Sequence, residues 1–180
     1  MATHRLIPHP AMPPATVRGV EVQWIETGKD QLLLRYRVDG HDEVVLPDFA
    51  GKGRADGLWQ TTCFEMYVQG AGEPGYLEFN FSPSQRWAAY RFDDYREGMR
   101  EQPLDHEPLC EGSAGERFFV QEVTLPTAGF PTGPLHVGLS AVIEEGDGTK
   151  SYWALAHPSD KPDFHHPACF TLEVPPTATA

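Results

Sequence analysis

The stretch YLEFNFSPSQRWAAYRF, residues 76–92, constrains the fold more than any other. Its first half alternates strictly. Leu77, Phe79 and Phe81 fall on one side of an extended chain, and Tyr76, Glu78, Asn80 and Ser82 fall on the other. Period-two alternation is the signature of a strand with one face in a core. The same pattern recurs in TTCFEMYV, where Phe64, Met66 and Val68 oppose Cys63, Glu65 and Tyr67. VRGVEVQWIETGKDQLLLRYRVDG reads as a hairpin around Gly28, Lys29 and Asp30, with Val20, Val22, Trp24 and Leu32, Leu34, Tyr36, Val38 inward.

Further strands are predicted at EVVLP, RFFVQEVTL and CFTLEV. LHVGLSAVIEE and KSYWALAHP form a hairpin around Gly146, Asp147 and Gly148. Residues 93–117 are irregular, with DDYREGM the only weakly helical piece. Some nine to eleven short strands without helical crossovers predict an all-β chain, an antiparallel sandwich or barrel. Its 180 residues suit one domain. The expected organisation is a Pro-rich surface segment at 1–15, a domain at 16–174 and a flexible tail at 175–180.

The formal net charge of −12 argues against nucleic acid or an anionic membrane as partner. No window approaches a membrane span. MATHRLIPHPAMPP has no apolar leader core, so a cytoplasmic location is expected. Three Cys without a CxxC spacing suggest reduced, packed thiols.

Parity then predicts a polar face. With Phe64/Met66/Val68, Leu77/Phe79/Phe81 and Ala88/Tyr90/Phe92 inward, Cys63, Glu65, Tyr67, Glu78, Asn80, Ser82, Trp87 and Arg91 share the outer side. Carboxylates, an amide, a guanidinium and an indole suit a sugar, whose hydroxyls need hydrogen-bond partners and whose ring packs on an aromatic. A solvated face with Glu65 or Glu78 paired to Arg91 has the same composition. Glu65 and Glu78 could also form a glycosidase pair.

YWALAHPSDKPDFHH is the second cluster. Trp153, Leu155 and His157 share one face, Tyr152, Ala154 and Ala156 the other, and either set could be core. His157, His165 and His166 near Asp163 raise a metal site, but adjacent His165 and His166 point apart and the spacing matches no ligand motif. No metal is expected. There is no GxSxG, and a Cys63–His157 pair would need a contact that spacing does not provide.

LWQTTCFEMYV, a Gly-rich turn and YLEFNFSPSQRWAAYRF together resemble the DOMON-like superfamily, which includes family 9 carbohydrate-binding modules and haem- or sugar-binding DOMON domains. WALAHP followed by PDFH resembles its bacterial DOMON-like subgroup. The resemblance spans residues 20–174 and is clearest at 58–96. It implies a jelly-roll β-sandwich, with a ligand on the concave sheet or its rim. It also implies a sugar held between aromatics, with Trp87 and Trp153 the candidates. Glu65, Glu78, Asn80 and Arg91 would read its hydroxyls, with His157 and His165 nearby. The expected function is non-catalytic binding of a carbohydrate or sugar derivative, without a cofactor. Haem is the alternative cofactor. Met66 falls on the predicted core face, so Met99 with His157 or His165 would be its ligands, and no CxxCH attachment site is present.

Overall fold

The computed structural model describes residues 2–28 and 30–176. Its strands are β1 (Ala2–Pro8), β2 (Gly19–Gly28), β3 (Gln31–Asp39), β4 (Gly53–Arg54), β5 (Cys63–Gly70), β6 (Tyr76–Phe81) and β7 (Arg86–Phe92). There follow β8 (Arg100–Glu101), β9 (Leu109–Ala114), β10 (Phe118–Pro126), β11 (Leu135–Glu144), β12 (Lys150–Ala154) and β13 (Leu172–Val174). Single 3-10 turns stand at Leu58–Gln60 and Pro167–Cys169. Among the described residues no helix is long and apolar enough to cross a membrane.

One sheet runs β1-β2-β3-β10-β9. The other runs β4-β7-β6-β5-β11-β12, with β13 beside β11 and β8 beside β7. Every pair is antiparallel except β4 with β7. β1 joins the sheets: residues 2–6 pair with β2, and Ile7 and Pro8 pair with β12. The result is a mostly antiparallel β-sandwich of jelly-roll type, as the alternation predicted.

The main core lies between the sheets. Val20, Val22, Leu34 and Tyr36 of the first sheet meet Phe64, Met66, Phe79 and Phe81 of the second. Tyr36 is wholly buried, and its hydroxyl donates across the core to the Glu65 carbonyl oxygen at 2.7 Å. Removing such a donor would leave a buried acceptor unpaired. Cys63, Cys110 and Cys169 are free and buried.

Glu145 fastens the 15–17 segment to the β11–β12 turn. It is 1% exposed, and its carboxylate accepts from the Ala15, Thr16 and Val17 N–H groups at 2.8, 2.6 and 3.1 Å and from the Thr16 hydroxyl. These bonds hold its carboxyl below the ordinary range against the opposing effect of burial.

Local expectations need correction. Residues 1–15 are not only a surface segment, because β1 bridges both sheets. EVVLP makes only an isolated bridge, Val44 with Glu145. DDYREGM is a tight turn closed by an Asp94–Glu97 bridge, with Arg96 at φ 56°. The irregular stretch contains β8 and β9, and the last strand shortens to β13. Residues 177–180 of the expected tail lie outside the described residues.

The largest correction concerns β7. Phe81 pairs with Trp87, Phe79 with Ala89 and Leu77 with Arg91. Odd residues therefore face odd residues, and Trp87 is 6% exposed within the main core. The cause is the connection. Ser82 N–H donates to Arg86 O at 2.9 Å and Gln85 N–H to Ser82 O at 3.0 Å, which leaves three residues between the paired ends. Gln85 takes φ 70°, the left-handed residue that closes such a three-residue hairpin. Tyr90 and Phe92 therefore turn outward, beside Glu78.

Two stability outcomes are expected from denaturant titrations. Trp87→Ala should lose about 3–5 kcal/mol, as for other large aromatic truncations in a core. Glu145→Ala should lose about 1–3 kcal/mol, because the buried Val17 N–H loses its acceptor while the more exposed Ala15 and Thr16 donors can turn to water.

Candidate functional site

The site rests on cross-strand register. Glu65 faces Asn80, which faces Ala88. Tyr67 faces Glu78, which faces Tyr90. Glu65 and Glu78 are thus diagonal neighbours on adjacent strands, within mutual electrostatic reach. This face is not solvated. A second apolar cluster covers it, with Phe164, Cys169 and Phe170 packed on Tyr67, Tyr76, Ala88, Tyr90 and Phe92. Phe170 stacks on Tyr67 with ring centroids 5.6 Å apart. Gly138 permits this approach, since a Cβ there would lie 2.7 Å from the Phe170 ring.

Sheet and covering segment frame a cavity of about 500 Å³ that opens to solvent. Glu65, Tyr67, Glu78 and Tyr90 of the sheet line it, with Phe92, Val142 and Tyr152. Trp59, Arg96, Met99, Pro162, Phe164 and His165 complete the wall from loops. Most of the lining is aromatic or apolar with a few converging polar groups, the usual character of a small-molecule site.

Each polar group is held. The Tyr67 hydroxyl donates to Glu65 Oε2 at 2.8 Å, and the Asn80 amide donates to Glu78 Oε1 at 3.1 Å. Tyr76 OH accepts the Arg96 N–H at 3.2 Å and lies 2.8 Å from His165 Nδ1. This network assigns the phenol proton to the bond with Nδ1 and the imidazole hydrogen to Nε2. Arg96 is paired with Asp163 at 2.7 Å, and the Tyr95 hydroxyl donates to the same carboxylate.

Burial raises the Glu65 carboxyl above its ordinary range, and the charge of Glu78 adds to this against the Tyr67 hydrogen bond. Burial likewise raises Glu78, while Asn80, Arg96 and Tyr67 oppose it. Burial, helped by the Arg96 charge, lowers His165 to about 4. His165 Nε2 and Glu78 Oε2 stand 3.7 Å apart, within the span of an ion pair. That separation is too long for a hydrogen bond, and burial disfavours both charges, so the contact is between neutral groups near pH 6.

Of the residues singled out from sequence, Glu65, Glu78 and His165 line the cavity, and Asn80 lies beneath it. The others need correction. Trp87 is core. Trp153 is 3% exposed in the same core, which settles that Tyr152 and Ala154 face outward. Arg91 shares the parity of Trp87 and donates to Gln102 Oε1 at 2.8 Å. His157 lies beyond the end of β12, with Nε2 2.9 Å from Ile7 O and its ring against His9. Among the described residues no three His, Cys, Asp or Glu side chains are grouped to hold a metal.

Trp59, Tyr90, Phe92, Arg96, Tyr152 and Phe164 are among the lining residues that alternation missed. Tyr90 and Phe92 were lost with the β7 parity. Trp59 and Arg96 come from turns without periodicity. Trp59 alone left a sequence signal, as the aromatic just before β5.

No protein-family model matches the chain, and no curated protein does. Solved structures do. One is a provisionally assigned carbohydrate-binding protein from Bacteroides uniformis, 18% identical, with TM-score 0.71 over 94% of this chain and 84% of that one. Two are complexes of a family 9 carbohydrate-binding module from Caldicellulosiruptor kristjanssonii. With glucose the TM-score is 0.52 at 8% identity, covering 90% and 78% of the two chains. With cellotriose it is 0.56 at 10% identity, covering 94% and 80%. The chain shares the β-sandwich fold of these proteins.

The acid pair makes stability depend on pH. Folded Glu65 and Glu78 hold protons that the unfolded chain releases from about pH 4.3. Their stabilisation is therefore complete below the unfolded value and is lost as pH rises through the raised folded values. His165 acts oppositely, losing stability as pH falls from 6.5 toward about 4. Between about pH 6.5 and 8 only the acids of this cluster still titrate, before the unfolded Cys169 thiol begins to. There the thermal midpoint of the wild type should fall with rising pH, and the Glu65→Gln/Glu78→Gln double variant should show a flatter profile.

Proposed function

We propose that the chain is a non-catalytic carbohydrate-binding domain whose ligand occupies the cavity over Glu65, Tyr67 and Glu78. The observation that carries this reading is a buried, oriented pair of carboxylates at the floor of an aromatic-walled cavity, on a fold shared with proteins seen bound to glucose and cellotriose. The carboxylates accept sugar hydroxyls. A cavity of about 500 Å³ suits one or two sugar rings. Trp59 is 54% exposed on the wall and supplies an aromatic surface for a pyranose.

Binding is favoured over glycoside hydrolysis because burial raises both acids together. A hydrolytic pair needs environments that split acid from base. Haem is disfavoured by the same contacts. Met66 lies in the main core, and His157 Nε2 is held at Ile7 O; Met99 and His165 do share the cavity wall, but both ring nitrogens of His165 already face side chains, Tyr76 at 2.8 Å and Glu78 at 3.7 Å.

Calorimetric titration with glucose, cellobiose and cellotriose tests the reading. Saturable binding of at least one is expected, and no binding of any sugar in a glycan screen would overturn it. Trp59→Ala should weaken that binding by about 1–3 kcal/mol, the range of an anchoring aromatic, and shift stability by no more than about 0.5 kcal/mol.

A further inference from the structure

Glu65 and Glu78 are buried acids with no Lys or Arg in ion-pair contact among the described residues; the Arg96 charge reaches Glu78 through the cavity, but its ion pair is with Asp163. One oxygen of each is held, Glu65 Oε2 by Tyr67 and Glu78 Oε1 by Asn80. The second oxygen of each is left to the cavity: the single Tyr67 hydroxyl proton goes to Glu65 although Tyr67 also lies by Glu78, and His165 Nε2 is 3.7 Å from Glu78 Oε2, too far for a hydrogen bond. Both residues line the cavity.

The charged and titratable groups around them are accounted for. Cys63 and Tyr67 come from β5, Tyr76 from β6, Tyr90 from β7, Arg96 from the turn after β7, and Asp163 and His165 from the covering segment. Arg96 is spent on Asp163 at 2.7 Å. Arg91 faces away, toward Gln102. His165 is neutral near pH 6. The cavity therefore holds two acids and no unpaired positive charge.

A neutral hydroxyl donates one hydrogen bond and brings no charge. A protonated amine brings three donors and the missing charge. The rings of Tyr67, Tyr90, Phe92 and Tyr152 on the same wall present π faces that also attract ammonium groups. We propose, resting on the carbohydrate-binding reading above, that the preferred ligand is a sugar with a free protonated amine, its ammonium lodged between Glu65 and Glu78. The acidic chain, at net charge −12, draws such a ligand in. Binding also expels protons, since the acids hold them until a cation arrives.

The test is calorimetric titration of the full chain, slightly below neutral pH, with glucosamine, glucose and N-acetylglucosamine. Glucosamine should bind about tenfold tighter than glucose or more, the scale of a charged hydrogen bond. N-acetylglucosamine should lose the advantage, because acetylation removes the charge. Repeating the glucosamine titration in two buffers of different ionisation enthalpy should reveal proton release. Glu65→Gln and Glu78→Gln should each shrink the glucosamine-to-glucose affinity ratio. Equal affinity for glucosamine and glucose overturns the amine inference and leaves carbohydrate binding standing. Failure of glucosamine to bind while glucose or cellotriose binds has the same meaning. Failure of every sugar overturns both readings. A glucosamine preference that survives both substitutions overturns the assignment to this pair.

Discussion

The site depends on one three-residue hairpin connection. Pro83, Ser84 and Gln85 join β6 to β7 with Gln85 in the left-handed region, and this odd length keeps odd residues of both strands on the same side. A connection one residue longer or shorter would exchange the faces of β7. Trp87 and Arg91 would then enter the cavity, and Tyr90 and Phe92 would leave it. The connection is braced from within, because Ser82 Oγ lies 2.8 Å from Ser84 Oγ and accepts the Ser84 N–H at 3.1 Å. Parity thus turns a loop length into the chemistry of a cavity wall.

The second determinant is the cover. An antiparallel sheet can leave one face to solvent. Here the segment after β12 folds back over β5, β6 and β7, and Phe164 and Phe170 cover part of the face. Gly138 gives Phe170 its place, and the ion pair of Asp163 with Arg96 ties the segment to the turn after β7. The cover converts an open row of polar side chains into a buried one at the floor of a cavity. In water Glu65 and Glu78 would be ordinary surface acids. Under the cover their charges are poorly solvated, and a ligand that supplies donors restores what water no longer provides.

The two halves of the sandwich serve different ends. The β1-β2-β3-β10-β9 sheet supplies apolar side chains and the Tyr36 hydroxyl that anchors β5 at Glu65 O. The other sheet carries the site on its far face. β1 locks them together by pairing with both, and Glu145 gathers the 15–17 segment at the β11–β12 turn. The rigidity of the site therefore derives from a core that does not touch it.

The sequence by itself determined the strands, the hairpins and the partition of β5 and β6. Strict alternation admits one assignment of Phe64, Met66, Phe79 and Phe81 to the core, and so Glu65, Glu78 and Asn80 were legible as one polar face. The tertiary structure alone decided the rest. Alternation within β7 is equally consistent with either face, because Trp87, Ala89, Arg91 and Ala88, Tyr90, Phe92 each include apolar residues. Only register against β6 chooses between them. Trp153 and Tyr152 posed the same ambiguity, resolved by pairing of Trp153 with Ala141 in the main core. Trp59, Arg96 and His165 come from turns and loops, where no period marks a buried face. Their meeting over Glu78 follows from long-range packing, which local pattern does not encode.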